Sequence, residues 1–513
     1  MNGAELALRT AVGAGVDVCF ANPGTTEMEL VAAVDRVPSM RAVLGLFEGV
    51  VTGAADGYGR VTGRPALTVL HLGPGFANGI ANLHNARRAH TPVVNLVGDH
   101  ASWHLGVDAP LTSDIESLAR PVSRHVARVS SGAHAGTAMR EAIGAAMGPP
   151  SGVSTLIFPQ DAAWGQAKVH DVSEGSSTSV TIDADAISLA AAGLRSGVKA
   201  GLLLGGVVRR AELEAAAAVQ AATGCSVWID TFPAVLEQGA GIPHFDPIPY
   251  FPEQALEVLA SVQTLVVAGT RAPVAFFGYQ RLGISELLPA DASVVSIAPP
   301  GVRGSEGLEA LVAAVAAARA KSAPHDGSPT VPTGDLDMMT MGAMVAALQP
   351  EGAIVVNESA TSGLGWAIAS AGAAPHEAFS LTGGAIGQGL PCAVGAAVAA
   401  PDRKVITLQA DGSGMYTLQS LWTMARESLD VTVVVCANRA YRILQMELHR
   451  TGHDDAGPQA RSLTDLSDPA PDWVSLAKGF GVEGMQATTL DELRAGLERG
   501  LSTEGPYLVE AIL

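Results

Sequence analysis

Apolar positions along the chain follow two alternating rhythms. Short runs of consecutive aliphatic and β-branched residues recur, and each is followed by a longer stretch with helical spacing. In the first third, "VDVCFANPG", "ALTVLHLGPG", "VVNLVGD" and "STLIFPQ" read as strands. In the middle, "AGLLLGG", "SVWID", "TLVVAG" and "SVVSIA" do, and in the last third "AIVVNES", "KVITLQADG", "VTVVVCAN" and "YLVEAIL". Near-continuous apolar strands separated by helices predict parallel sheets covered on both faces. Two stretches lack apolar periodicity and read as linkers: Ser173–Val180, rich in Ser and Gly, and Lys321–Asp335, rich in Pro, Gly and Ser. The pattern therefore predicts three doubly wound α/β domains over residues 1–172, 181–321 and 336–513. Ligands of such sheets bind beyond the carboxyl ends of the strands, where the Gly-rich and polar residues of this chain collect.

Composition supports large cores. Of the 513 residues, 48 % are hydrophobic and only 16 % charged, which argues against disorder. The 58 glycines and the scarcity of aromatics predict tight turns and close helix packing. A net charge of −19 argues against nucleic-acid or anionic-membrane partners. Cys19, Cys225, Cys392 and Cys436 are far apart and form no CxxC, so buried reduced thiols are expected. "MNGAELALRTAVGAG" reads as an amphipathic helix rather than a signal peptide, and no apolar run has the length of a membrane span. A soluble, cytoplasmic protein is expected.

The most informative stretch is "ADGSGMYTLQSLWTMARESLDVTVVVCAN". It predicts a strand ending at Asp411, a turn of Gly412, Ser413 and Gly414 opening a helix, and a second strand ending at Asn438. Backbone N–H groups at a helix start cradle anions, and successive parallel strands are often neighbours. One carboxylate, one carboxamide and a nearby carbonyl suit Mg²⁺ holding a diphosphate. For either residue alone, a capping Asp or a strand-ending Asn is the ordinary alternative. The pair resembles the thiamine-diphosphate motif, in which G-D-G precedes an Asn by about 27 residues. That resemblance implies Mg²⁺ ligation by Asp411, Asn438 and the carbonyl of Ala440, with Gly412, Ser413 and Tyr441 also at the cofactor. The chain departs from the pattern at Ala410 and Arg439, neither of which removes a ligating side chain.

Other segments resemble the same family. "LGLFEGVVTGAADGYGR" is similar to its E-x-x-x-x-x-A-x-G-Y segment, which makes Glu48 the acid that activates the cofactor through its pyrimidine N1′. An acid for that task needs a desolvated pocket, and Glu48 stands among Leu44, Leu46, Phe47, Val50 and Val51. A helix-start Glu is the alternative. "GAIGQGLP" is similar to the loop that bends the cofactor into a V, which assigns the wedge to Ile386 and an accepting carbonyl to Gly384. "NESATSG" is similar to a loop that adds hydroxyls to the diphosphate, here Ser359 and Thr361. The domain order is that of acetolactate synthases, pyruvate oxidases and benzoylformate decarboxylases, and the chain most resembles acetolactate-synthase large-subunit-like proteins. The resemblance implies a homodimer or homotetramer with sites at subunit interfaces, Glu48 from one subunit meeting the metal motif of another.

The resemblance further implies a 2-oxo acid substrate, decarboxylated with or without carboligation. Matching to benzoylformate decarboxylase puts Thr25 at a substrate-binding Ser and His71 at an active-site His. A His there can protonate or polarise a developing alkoxide; a core His at a strand end is the alternative. The decarboxylase's second His is replaced by Phe277, and the acetolactate-synthase loops are replaced by "HLGPG" and "VGDH". FAD stays open but disfavoured, because the middle segment is short and has one Gly pair rather than G-x-G-x-x-G. His449–Asp472 reads as a lid or a passive loop. A benzoylformate-decarboxylase-like enzyme without carboligation and a noncatalytic cofactor-binding paralogue are the rival readings.

Overall fold

The structure is a computed structural model that describes residues 1–168, 181–195, 197–318 and 329–513. The expected linker at Ser173–Val180, and residues 321–328 of the second, lie outside the described residues.

Three sheets carry the fold. The first has six parallel strands in the order Arg41–Leu44, Val18–Asn22, Ala66–Leu70, Val93–Asp99, Val153–Pro159, His125–Arg128. The second has four parallel strands: Ser293–Ala298, Thr264–Ala268, Ala200–Leu204 and Ser226–Ile229. The third runs Glu483–Ala487, Tyr507–Ile512, Val431–Ala437, Val405–Ala410, Ile354–Glu358, His376–Ser380 and is parallel to that point. It then continues into Val235–Gln238, which is antiparallel to its neighbour, and Val207–Val208. Two strands of the middle segment thus extend the C-terminal sheet, a crossover that apolar runs do not reveal. Strands 93–99, 153–159 and 431–437 are buried at every position, as strands covered by helices on both faces must be.

The first and third sheets share one core. Its centre is the contact between helices Glu48–Thr62 and Gly389–Ala399, both built largely of small residues. A Cβ on Gly57 would stand 2.0 Å from the Cys392 carbonyl oxygen, and one on Gly395 would stand 1.8 Å from that of Ala54. Glycine lets the two backbones touch. All four cysteines are free and buried; burial pushes the Cys19 and Cys392 thiols up to about 12. Among the described residues no helix is long and apolar enough to cross a membrane.

Candidate active site

Strands Val405–Ala410 and Val431–Ala437 are direct neighbours, with Ala410 opposite Cys436. Asp411 and Asn438 therefore leave adjacent strand ends. Asp411 is buried and its carboxylate accepts from two backbone N–H groups, Gly412 at 2.8 Å and Arg439 at 2.6 Å. Burial pushes its carboxyl above the usual range, and those N–H groups oppose the shift. Asn438 Oδ1 accepts from the N–H of Ala440 at 3.0 Å, and its amide donates to Ser362 Oγ at 3.3 Å. Ser413 lies in the same turn and accepts from Gln409 at 2.6 Å.

The 439–441 turn is stapled to a distant segment. Tyr441 N–H donates to Thr464 O and Leu466 N–H donates to Arg439 O, each at 2.9 Å. A Cβ on Gly412 would stand 2.6 Å from the Tyr441 ring and 2.8 Å from Leu466. Tyr441 thus roofs the anion-cradling turn. Within His449–Asp472, residues 464–466 are tied down in this way, and Arg450 beside its start donates to both Glu253 oxygens. Ser359 is buried at the end of strand Ile354–Glu358 and donates to Asn357 Oδ1 at 2.5 Å; Thr361 is half-buried in the next turn.

Ile386 is half-buried, and Gly384 before it takes a left-handed φ of 73°. The helix Leu72–Ala89 holds this loop from outside. Asn85 donates to Ala385 O at 2.7 Å and accepts from its N–H at 3.2 Å. Asn82 donates to Gly387 O at 3.2 Å and to Gly49 O at 2.8 Å, joining the loop to the helix that Glu48 begins.

Glu48 is 7 % exposed and accepts from Asn78 at 3.0 Å. His71 ends strand Ala66–Leu70 and caps helix Leu72–Ala89. Its Nδ1 lies 2.9 Å from Glu27 Oε2, and a Cβ on Gly24 would collide with the ring. Glu27 is fully buried and also accepts from Thr26 Oγ1 and the Gly24 N–H. With Glu27 ionised, Nδ1 carries the hydrogen and Nε2 is left as the free nitrogen. Glu27 was not a sequence-level candidate, although "NPGTTE" places it three residues after a helix-start Gly. Thr25 is exposed, while its neighbour Thr26 lies 3.3 Å from His71 Nδ1. Phe277 is 58 % exposed, next to a cluster of Phe232, Tyr250 and Phe276.

Among the described residues, no hydrogen bond or ion pair joins the group of Glu48, His71 and Thr25 to that of Asp411, Asn438 and Ser359. Nor do three or more His, Cys, Asp or Glu side chains gather as a metal cluster. The set at Asp411 is different in kind. Its buried carboxylate is bonded by backbone N–H groups and flanked by neutral oxygens, a donor set that fits a hard divalent ion and a diphosphate.

Comparison with known proteins agrees with this geometry. Residues 1–118 match the description "Thiamine pyrophosphate enzyme, N-terminal TPP binding domain", and residues 361–511 match its C-terminal TPP binding domain. The chain is 47 % identical over its full length, and 99 % of the relative's, to IlvX of Mycobacterium tuberculosis, provisionally named an acetolactate synthase large subunit. It is 29 % identical to benzoylformate decarboxylase of Pseudomonas aeruginosa, covering 97 % of this chain and 96 % of that one. Among solved structures, the thiamine-diphosphate-dependent 4-hydroxybenzoylformate decarboxylase of Rhodococcus jostii superposes with a TM-score of 0.85 at 25 % identity, covering 100 % of this chain and 99 % of that one.

Proposed function

The chain belongs to the thiamine-pyrophosphate enzymes, in the branch of acetolactate synthases, pyruvate oxidases and benzoylformate decarboxylases, and on that premise we propose how its residues divide the work on a 2-oxo acid. It is a thiamine-diphosphate-dependent decarboxylase with acetolactate-synthase-like chemistry. Asp411, Asn438 and the Ala440 carbonyl would hold Mg²⁺ beside the diphosphate. Ser359, Thr361 and the N–H group of Ser413 would complete the anion cradle, roofed by Tyr441, while the Gly412 N–H holds Asp411. Ile386 and the Gly384 carbonyl would orient the cofactor rings, and Glu48 would hold a proton at the pyrimidine. When bound, the cofactor supplies the electron sink for the charge left at the 2-oxo carbon as carbon dioxide departs.

His71 carries the proton chemistry at the substrate oxygen. Held through Nδ1 by Glu27, it presents Nε2 to the substrate oxygen, where it would accept a proton as the neutral ring and donate one as the imidazolium. Thr25, exposed beside them, contributes its hydroxyl for the substrate carboxylate. The observation that carries this reading is the pair of unlike half-sites, one acid–histidine and one anion-cradling, each at the carboxyl edge of its own sheet.

A homodimer completes the site by bringing Glu48 of one subunit to Asp411 of another. Exposed apolar side chains flank both half-sites and support this: Leu46 before Glu48, Met415 and Tyr416 after the diphosphate turn, Leu364 and Ile368 after Thr361. Such patches mark interaction surfaces. A flavin-free enzyme is supported by the short middle segment, which carries one Gly pair rather than G-x-G-x-x-G.

A second reading, decarboxylation without carboligation, is favoured by the Glu27–His71 pair, because a proton donor beside the former 2-oxo carbon would suit protonation of that carbon in place of its attack on an aldehyde. Incubation of the holoenzyme with a panel of 2-oxo acids, with and without aldehyde acceptors, tests both. A 2-hydroxyketone product supports carboligation, an aldehyde alone supports the second reading, and no turnover of any 2-oxo acid overturns both.

A further inference from the structure

Glu358 is a buried carboxylate that the roles above do not use. It ends strand Ile354–Glu358, one residue before Ser359, and is 4 % exposed. Its two oxygens grip the backbone on both sides of Gln388. Gly387 N–H donates to Oε1 at 2.6 Å, and Gly389 N–H donates to Oε2 at 2.5 Å. Oε2 also accepts from Gln409 at 3.1 Å, and the same amide donates to Ser413 Oγ at 2.6 Å. The contact with Gln409 follows from the sheet, since Glu358 and Gln409 are paired in the parallel register.

No salt bridge to Glu358 is present among the described residues. Burial pushes its carboxyl above the usual range, and the N–H groups at the start of helix Gly389–Ala399, bonded to both oxygens, oppose that shift and favour the ionised form. Charge-assisted bonds of this kind are roughly twice as strong as neutral ones. A simple helix cap would come from the residue next to the helix. This one comes from another strand: it bonds the 384–389 loop directly, reaches the 411–414 turn through Gln409, and precedes Ser359 in the chain. Gly387 is tied at its other end too. Its carbonyl accepts from Thr417 at 3.0 Å and Asn82 at 3.2 Å, and its φ of 92° excludes most other residues.

We propose that Glu358 is a positioning residue that fixes the Ile386 loop relative to the diphosphate turn through Gly387, Gly389 and the Gln409–Ser413 link. This rests on the cofactor reading above. The diphosphate and metal are gripped by one set of loops and the rings by another. The spacing between those sets decides whether the rings meet Ile386 and the Gly384 carbonyl in register. Glu358 holds that spacing before any cofactor arrives.

The test uses Glu358→Gln, which keeps the side-chain length but turns a donor towards one of the two backbone N–H groups. In the cofactor-free protein, amide hydrogen exchange of residues 384–389 becomes faster. Calorimetric affinity for thiamine diphosphate with Mg²⁺ stays at the wild-type value, because Asp411 and Asn438 are untouched. Exchange of the cofactor C2 proton into heavy water slows by roughly 10- to 100-fold, the scale of a misplacement near 1 Å. Glu358→Asp keeps the charge and recovers part of that rate. Unchanged loop protection and C2 exchange in Glu358→Gln, with a wild type that exchanges quickly, overturn this proposal alone. A loss of exchange that only follows lost cofactor affinity also overturns it. A wild type that does not accelerate C2 exchange overturns the cofactor reading and this proposal together. Should Glu358→Gln fail to fold, Gln409→Met serves. It leaves both loop bonds intact and cuts the link to Ser413, so loop protection persists while C2 exchange slows; wild-type exchange in that variant overturns the proposal.

Discussion

Around His71, side chains hold side chains: Glu27 takes its Nδ1, Thr26 takes Glu27, and Asn78 takes Glu48. Around Asp411, the backbone does the holding: the N–H groups of Gly412 and Arg439 meet the carboxylate, and those of Gly387 and Gly389 meet Glu358. On the reading proposed above, the first region moves protons, because its partners set which nitrogen or oxygen bears hydrogen, and the second holds a carboxylate in place for a cation. Backbone dipoles stabilise a carboxylate without neutralising it, and leave it able to bind a cation. That contrast is why the proposal gives binding to the carboxylates held by N–H groups and proton transfer to the acid–imidazole pair.

The largest effects come from removing the central acid of each region, and they differ in kind. Asp411→Ala abolishes Mg²⁺-dependent cofactor retention, measured by calorimetry. Glu48→Gln leaves retention intact and lowers turnover by ~10²–10⁴-fold or more. Equal cofactor affinity in Asp411→Ala and wild type contradicts the division. Next in size is Glu27→Gln, which frees the His71 tautomer. It lowers kcat on a responsive 2-oxo acid by about 10²-fold while C2-proton exchange keeps its wild-type rate. A matching loss in C2 exchange would move Glu27 to the cofactor side.

Packing between the two regions is tested by Gly395→Ala, whose new Cβ meets the Ala54 carbonyl. It destabilises by about 1–3 kcal/mol in urea titration, and wild-type stability would deny the close helix contact. The smallest effect sharpens the contrast between two histidines. His71 has a buried carboxylate, whereas His376 has Gln238 and the Ala374 carbonyl as partners, and burial lowers it to about 4. An imidazole with a folded pKa below its unfolded value binds fewer protons when folded, so stability falls as pH drops through the unfolded value towards 4. Between pH 7 and pH 5 the loss attributable to His376 is about 2 kcal/mol. The wild type loses that increment and His376→Gln does not; equal losses in both deny that His376 is the titrating group.

Legibility in the sequence followed whether partners belong to one recognisable unit. Asp411 and Asn438 share one strand–helix–strand unit, so their meeting at adjacent strand ends is a consequence of parallel pairing. The partners of Glu27 and Glu358 lie on loops or strand ends that no such unit joins to them. In sequence the two acids look like a helix-start Glu and a strand-end Glu. The strands Arg41–Leu44 and Glu483–Ala487 were missed because edge strands carry polar residues, and Val207–Val208 and Val235–Gln238 because they serve a sheet outside their own segment.

Mixed dimers of Glu48→Gln and Asp411→Ala chains test the central claim most directly. Each parent has two damaged sites. The mixed dimer has one site with both lesions and one that combines Glu48 of the first-named variant's partner with Asp411 of the other chain. If the two regions meet across subunits, co-expressed mixed dimers regain about half of the wild-type C2-proton exchange, one intact site in two. Mixed dimers as inactive as both parents would contradict the account.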